Sequence, residues 1–442
     1  MENKNTTPLH VRPKKHNPEK PFDGDLFNRQ KLAEQLTGMV ERMADGCVFA
    51  IDAPWGEGKT WFGENWVSKL RADGFSVVFI DAFRQDYVED PFLMVCSEIL
   101  AAFKGGEARN KLTDAGKMVV KRLLPITAKL AVRFVGHRLL GSVDMTEEFR
   151  KTVEEIEKGA ENALETQLAK RLTDHAEDTS SVEGFAKVLE EQAKSLKKPL
   201  VVVIDELDRC RPDFAVRTVE RIKHFFDVPG VVFVLLVNRP QLEAAIQGVY
   251  GTEVDAKTYL GKFVQFWLRL PKNRPNALSV LDNNLTYCKE LARRFGLDKT
   301  PEHSGFLEVF ANLASLKGLS LRDLERGYTL YSLAQPVSNA SAFFGWAIYL
   351  KLVRPDVHAG ILAGEPAAHE SAREVLATMI ETAPGLPLLT ALDDLHRSLV
   401  DEDNPSLSEQ TKSIFMQCGS WGIVPARFLP WLYGKIDLHV GN

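Results

Sequence analysis

Short, almost unbroken apolar runs punctuate the first two-thirds of the chain: Cys47–Ile51, Ser76–Asp81, Leu200–Ile204 and Val231–Val237. Their length and β-branched content predict strands buried on both faces, the pattern of a parallel sheet covered by helices. Val264–Leu270 instead alternates apolar and polar positions and predicts a further strand. Between the runs the spacing turns helical. Phe27, Leu32, Leu36 and Val40 predict a leading helix within residues 22–46, and Trp61, Phe62, Trp66 and Leu70 a second one behind the first strand. Pro91 suits the first turn of a third helix running to Phe103. Val182–Leu196, a segment from Pro212, and Gln241–Val249 follow. Strands alternating with helices predict an α/β fold with a parallel sheet.

The same pattern divides the chain. Residues 1–21 read as a flexible basic tail, with Lys14, Lys15 and Lys20 among prolines and asparagines. Residues 22–271 hold the strands and form the core, interrupted by a helical insertion at 104–198. That insertion contains the basic, apolar segment Val119–Leu140 and the charged helix Glu147–His175, where Glu147–Lys151 and Glu154–Lys158 stand four apart. From Pro275 onward the pattern is mainly helical. Residues 272–354 are expected to form a lid, with Ser320–Arg326 beginning one helix, and 355–442 a helical region to which no chemistry is assigned.

The chemistry collects where strands end. Cys47–Ile51 passes through Asp52 into Ala53-Pro54-Trp55-Gly56-Glu57-Gly58-Lys59-Thr60, and a helix follows. That is the order of a phosphate-binding loop, in which small residues let backbone N–H groups approach phosphates and a helix N-terminus favours their charge. Lys59 can reach the outer phosphates, and the Thr60 hydroxyl is suited to Mg²⁺. Ala53 stands where the first glycine of G-x-x-x-x-G-K-[ST] is usual. Alanine enters the left-handed region only at a steric cost, so either the loop does not need that conformation at 53 or nucleotide binding is weakened. Trp55 is expected to pack beside the nucleotide or the core rather than to stack on a base. Leu200–Ile204 ends in Asp205-Glu206, and functional sites of open α/β sheets lie at that edge. Asp205 is suited to the Mg²⁺ shell, and Glu206, ahead of Asp208, to polarising the attacking water. Val231–Val237 ends in Asn238, either a sensor of the terminal phosphate or the cap of the next helix. Arg209 is either an arginine finger across a subunit interface or the ion-pair partner of Asp208. Arg322, near its helix start, is either a lid sensor or a structural arginine.

Charge and composition narrow the partners. A net charge of −5 offers no global argument for nucleic acid or an anionic membrane. The five cysteines are scattered singly, without metal or disulfide spacing, as in a reducing cytoplasm. Nowhere do 18 apolar residues run together, so no transmembrane segment is expected, and contact of Val119–Leu140 with a membrane surface is the weaker alternative to packing within the protein.

Four segments carry a family resemblance: Ala53–Thr60; Val203-Ile204-Asp205-Glu206-Leu207-Asp208-Arg209-Cys210; Val234–Arg239; and Tyr259-Leu260-Gly261-Lys262-Phe263-Val264-Gln265. Together they resemble the KAP family of P-loop NTPases, a branch of the STAND-like ATPases that includes bacterial phage-exclusion proteins. Asp25–Arg29 is a weaker match. The resemblance implies ATP rather than GTP, Mg²⁺, and hydrolysis that drives a conformational or assembly switch in a homo-oligomer or with an effector partner. It also implies bacterial anti-phage defence as the setting. Two departures stand out: the insertion at 104–198 lacks the membrane spans common in the family, implying a soluble, cytoplasmic branch, and Glu206 replaces a frequent second aspartate. The rivals are an ATP-binding scaffold with little turnover and an ATP-dependent DNA-acting protein.

Overall fold

A computed structural model describes residues 16–88, 90–103, 110–116, 183–225, 228–271, 280–298, 303–334, 341–382, 387–398, 407–409, 411–412 and 425–438. They fall into two compact units, one ending at Pro271 and one beyond it. Most of the expected insertion, including Val119–Leu140 and Glu147–His175, lies outside the described residues, as do residues 1–15.

The first unit is built on five parallel strands, β1 (Cys47–Asp52), β2 (Ser76–Asp81), β3 (Leu200–Asp205), β4 (Val231–Val237) and β5 (Phe266–Arg269), in the order β2-β3-β4-β1-β5. Helices α1 (Arg29–Val40), α2 (Lys59–Ala72), α3 (Pro91–Ala102), α4 (Pro212–Ile222), α5 (Arg239–Tyr250) and α6 (Ala256–Leu260) connect or precede them. β3 and β4 are buried along their whole length, which is why they read as continuous apolar runs. Alternate side chains serve opposite faces. Leu200, Val202, Ile204, Phe233 and Leu235 join a core with α3, α4, α5 and the helical stretch over 183–194. Val201, Val203, Val232, Val234 and Leu236 face α1 and α2. β5 pairs on one side only and is half-exposed, so alternation survives there.

Two local features set the position of α2. A Cβ on Gly63 would stand 2.4 Å from Leu236 Cδ1, so its absence allows α2 to lie close on β4. The helix expected within 22–46 starts only at Arg29, because Asn28 is left-handed (φ 56°) and the Asp25 carboxylate accepts the N–H groups of Phe27 and Gln30. Residues expected as flexible tail are anchored from His16 onward. The His16 ring lies 3.3 Å from Glu64, and Phe22 N–H donates to Asn65 Oδ1 at 2.7 Å, both partners on α2.

The second unit contains α7 (Val280–Arg294), α8 (His303–Lys317), α9 (Leu321–Ala334), α10 (Ser341–Val353), α11 (Pro355–Leu362), α12 (Pro366–Thr382), α13 (Pro387–Ser398) and α14 (Pro425–Ile436). Ser320 and Asp323 exchange side-chain-to-backbone hydrogen bonds and start α9, as a capping box does. No helix among the described residues is long and apolar enough to cross a membrane.

A histidine pair is buried in this unit. Trp346 Nε1, which can only donate, points at His396 Nε2, so neutral His396 carries its proton on Nδ1 and donates it to His369 Nδ1 at 2.9 Å. Burial lowers both histidines, His396 to about 3. A base whose pKa falls on folding stabilises the fold fully above its unfolded value, and that contribution is lost as pH falls below it. The unfolding free energy of this unit, measured with urea, is therefore expected to fall from about pH 6.5 downward, by up to about 1.4 kcal/mol per pH unit from His396, with His369 acting in the same direction. His396→Asn should flatten that slope. An equal slope in wild type and variant would refute the assignment.

Candidate active site

The parallel register sets the C-terminal ends of β1, β3 and β4 side by side, with Asp52 opposite Val237 and Asp205 opposite Leu236. The loop leaving β1 first extends the ladder, Ala53 N–H donating to the Val237 carbonyl at 3.2 Å. Its left-handed residues are Gly56 (φ 84°) and Gly58 (φ 77°); Ala53 is not among them. The alanine thus occupies a position that needs no glycine. Lys59, 8% exposed, folds back to donate to the carbonyls of Ala53 (2.6 Å) and Pro54 (3.3 Å). Burial lowers its pKa, against the pull of the carboxylates of Asp208, Asp205 and Asp52.

Asp205 is 1% exposed, and burial pushes its carboxyl up to about 7. The nearby Thr60 hydroxyl, the Glu206 N–H and Lys59 all act the other way. Its Oδ1 accepts the Glu206 N–H at 2.9 Å, whereas Oδ2 is buried without a hydrogen-bond partner among the described residues. A buried, unpartnered carboxylate oxygen beside a hydroxyl is a donor set that fits a hard, oxygen-seeking cation such as Mg²⁺. Glu206 adopts φ 60°, a conformation that costs a non-glycine residue about 1–2 kcal/mol. Further carboxylates crowd this edge: Asp86, Asp208, Asp81 and Glu206 all help burial push the Cys210 thiol up to about 12.

Several expectations change. Arg209 pairs with Glu206 at 3.0 Å, not with Asp208, because the single turn Leu207–Arg209 brings residues three apart together. Asp208 instead accepts the indole N–H of Trp55, and its Oδ1 is buried without a partner among the described residues. Trp55, 41% exposed, is therefore not part of the core. Asn238 precedes α5 but its side chain makes no cap; Asp52 Oδ1 accepts the Arg239 N–H at 2.9 Å in its place. Arg322 is exposed near the start of α9, in the second unit.

Two residues were not placed here by sequence. Asp52 caps α5 and acts on Lys59; its signal is a carboxylate ending β1 as Asp205 ends β3. Arg29 donates to the loop carbonyls of Glu57 and Gly58. Only the weak match at Asp25–Arg29 hinted at it.

The comparison with curated proteins gave no match. Among solved structures, the chain is similar to the Aeropyrum pernix ORC2 protein in its ADPNP-ADP complexes, at 13% identity and a TM-score of 0.35, over 95% of this chain and 97% of that one. That likeness is too low to carry a conclusion. Residues 29–325 match the KAP family P-loop domain, a span that starts at the arginine behind the loop and runs past β5 into the helical unit, and the chain belongs to that family of P-loop NTPases.

Proposed function

We propose that this NTPase binds Mg²⁺–ATP at the β1, β3 and β4 edge and hydrolyses it to time a conformational or assembly switch. The observation that carries this reading is the meeting of Lys59 and Thr60, at the start of α2, with the unpartnered Oδ2 of Asp205. Thr60 and Asp205 would hold the cation, which when bound neutralises charge developing on the phosphates. Lys59 would leave the Ala53 and Pro54 carbonyls for the outer phosphates. Glu206 would take the proton of the attacking water, with Asn238 near the terminal phosphate. The partner would be a second copy or an effector, and the biological setting, bacterial defence against phage, rests on the family resemblance. Mg²⁺-dependent phosphate release by the purified protein, recorded with its mass in solution with and without ATP, tests this. Absence of turnover would sink the hydrolytic switch.

One observation favours a second reading, an ATP-binding scaffold with slow turnover: the Glu206 carboxylate is held by Arg209. If that pair restrains the base, Arg209→Ala should raise basal turnover about twofold to fivefold, the scale of a partly exposed ion pair. A fall confined to concentrations at which the protein oligomerises would instead assign Arg209 to a neighbouring copy's phosphates.

A further inference from the structure

Arg29 meets the phosphate loop from the side of its carbonyls. Nη2 donates to the Glu57 carbonyl at 2.8 Å and Nη1 to the Gly58 carbonyl at 3.4 Å. Nε and Nη2 also reach the Pro271 carbonyl, each at 3.3 Å, and the side chain is 2% exposed. In a trans peptide the carbonyl and N–H point in opposite directions. The Glu57 carbonyl shares its peptide with the Gly58 N–H, and the Gly58 carbonyl shares its own with the Lys59 N–H. Holding both carbonyls to one side therefore turns those two N–H groups to the other, where an anion at the start of α2 would lie. The Gly58 carbonyl also accepts the Phe62 N–H at 3.0 Å, which aims it down the helix and away from that anion. Gly58 suits the arrangement twice, since its φ is 77° and a Cβ would stand 2.8 Å from Arg29 Nη1.

We propose that Arg29 is a positioning residue that aims the Gly58 and Lys59 N–H groups at the nucleotide phosphates, rather than a contact to base or ribose. The proposal rests on the nucleotide reading of the loop. Lysine at this position keeps the charge and the aliphatic stem, but its compact ammonium cannot reproduce the planar fork across two carbonyls.

The test compares wild type with Arg29→Lys in binding Mg²⁺–ATP and inorganic tripolyphosphate by calorimetry, alongside KM, kcat and melting temperature. The expected result is a loss of about ten- to hundredfold in affinity for both ligands by the same factor, with KM rising more than kcat falls. A loss for ATP without one for tripolyphosphate would make Arg29 a base or ribose contact and overturn the proposal. Unchanged affinities with a lower melting temperature would reduce it to a structural anchor and overturn it equally. Should Arg29→Lys not fold, Arg29→Gln enters the same comparison with the same outcomes. Wild-type protein that binds neither ligand would defeat the nucleotide reading itself, and the proposal with it, a result distinct from failure in the variant alone.

Discussion

Lys59→Ala is expected to reduce ATP hydrolysis by about a hundredfold to a thousandfold, the loss seen when one charge-stabilising donor is removed from a preorganised site. Lys59 is the buried cation at the head of α2, with the carboxylates of Asp208, Asp205 and Asp52 acting on it. Its present contacts, the carbonyls of Ala53 and Pro54, belong to the loop it must serve. A phosphate would compete with those carbonyls as a charged acceptor, and charge-assisted bonds are about twice as strong as neutral ones. Alanine removes the cation while leaving the start of α2 intact, because its helix propensity is the highest of all residues. Phosphate release and nucleotide affinity should fall together, with the melting temperature of the first unit little changed. Retained hydrolysis in Lys59→Ala would exclude this loop as the reacting site.

The second large effect is expected from Glu206→Gln, and it should separate chemistry from binding. Glutamine keeps the size of the side chain but cannot accept a proton, so kcat should fall by about 10²–10⁴. Glu206 donates its backbone N–H to Asp205 and lies outside the phosphate loop Ala53–Thr60, so ATP affinity should stay within about twofold. The backbone at 206 is left-handed and should persist, since the Asp205 bond that accompanies it involves only main chain on the Glu206 side. Single-turnover kinetics beside equilibrium binding would measure both quantities. If affinity collapsed as far as kcat, Glu206 would be part of the nucleotide site rather than its base. If Asp208→Asn produced the larger kcat loss, the base would be Asp208, whose Oδ1 is also buried and unpartnered among the described residues.

These two experiments rest on features of different legibility. The loop from Ala53 to Thr60 and the acidic end of β3 are local: each is a strand followed by polar residues, and the strand signal was strong because β3 and β4 are buried on both faces. What Ala53 tolerates was not local in this sense. Its neighbours leave both conformations open, and the hydrogen bond that extends the ladder is donated by Ala53 N–H to the Val237 carbonyl, on a strand far along the chain. Arg209 shows the same limit at short range. Asp208 and Glu206 are both near it in sequence, and the tight turn of Leu207–Arg209 decided which of them it meets. The length of the leading helix failed for a comparable reason: apolar spacing continued back to Phe27, while the Asp25 turn and the left-handed Asn28 ended the helix at Arg29.

By itself the sequence determined the strands, the parallel α/β class, the phosphate loop and the family, because period, β-branched content and motif order are properties of contiguous residues. Only the tertiary structure decided strand order, which places β4 between β1 and β3 and so brings Asp52, Asp205 and Asn238 to one edge. It also decided that Trp55 donates to Asp208, that Asp52 caps α5, and that Arg29 braces the carbonyls of Glu57 and Gly58. Each of those bonds joins residues dozens or hundreds of positions apart, on elements that meet only once the sheet has formed, and no local pattern records such a meeting.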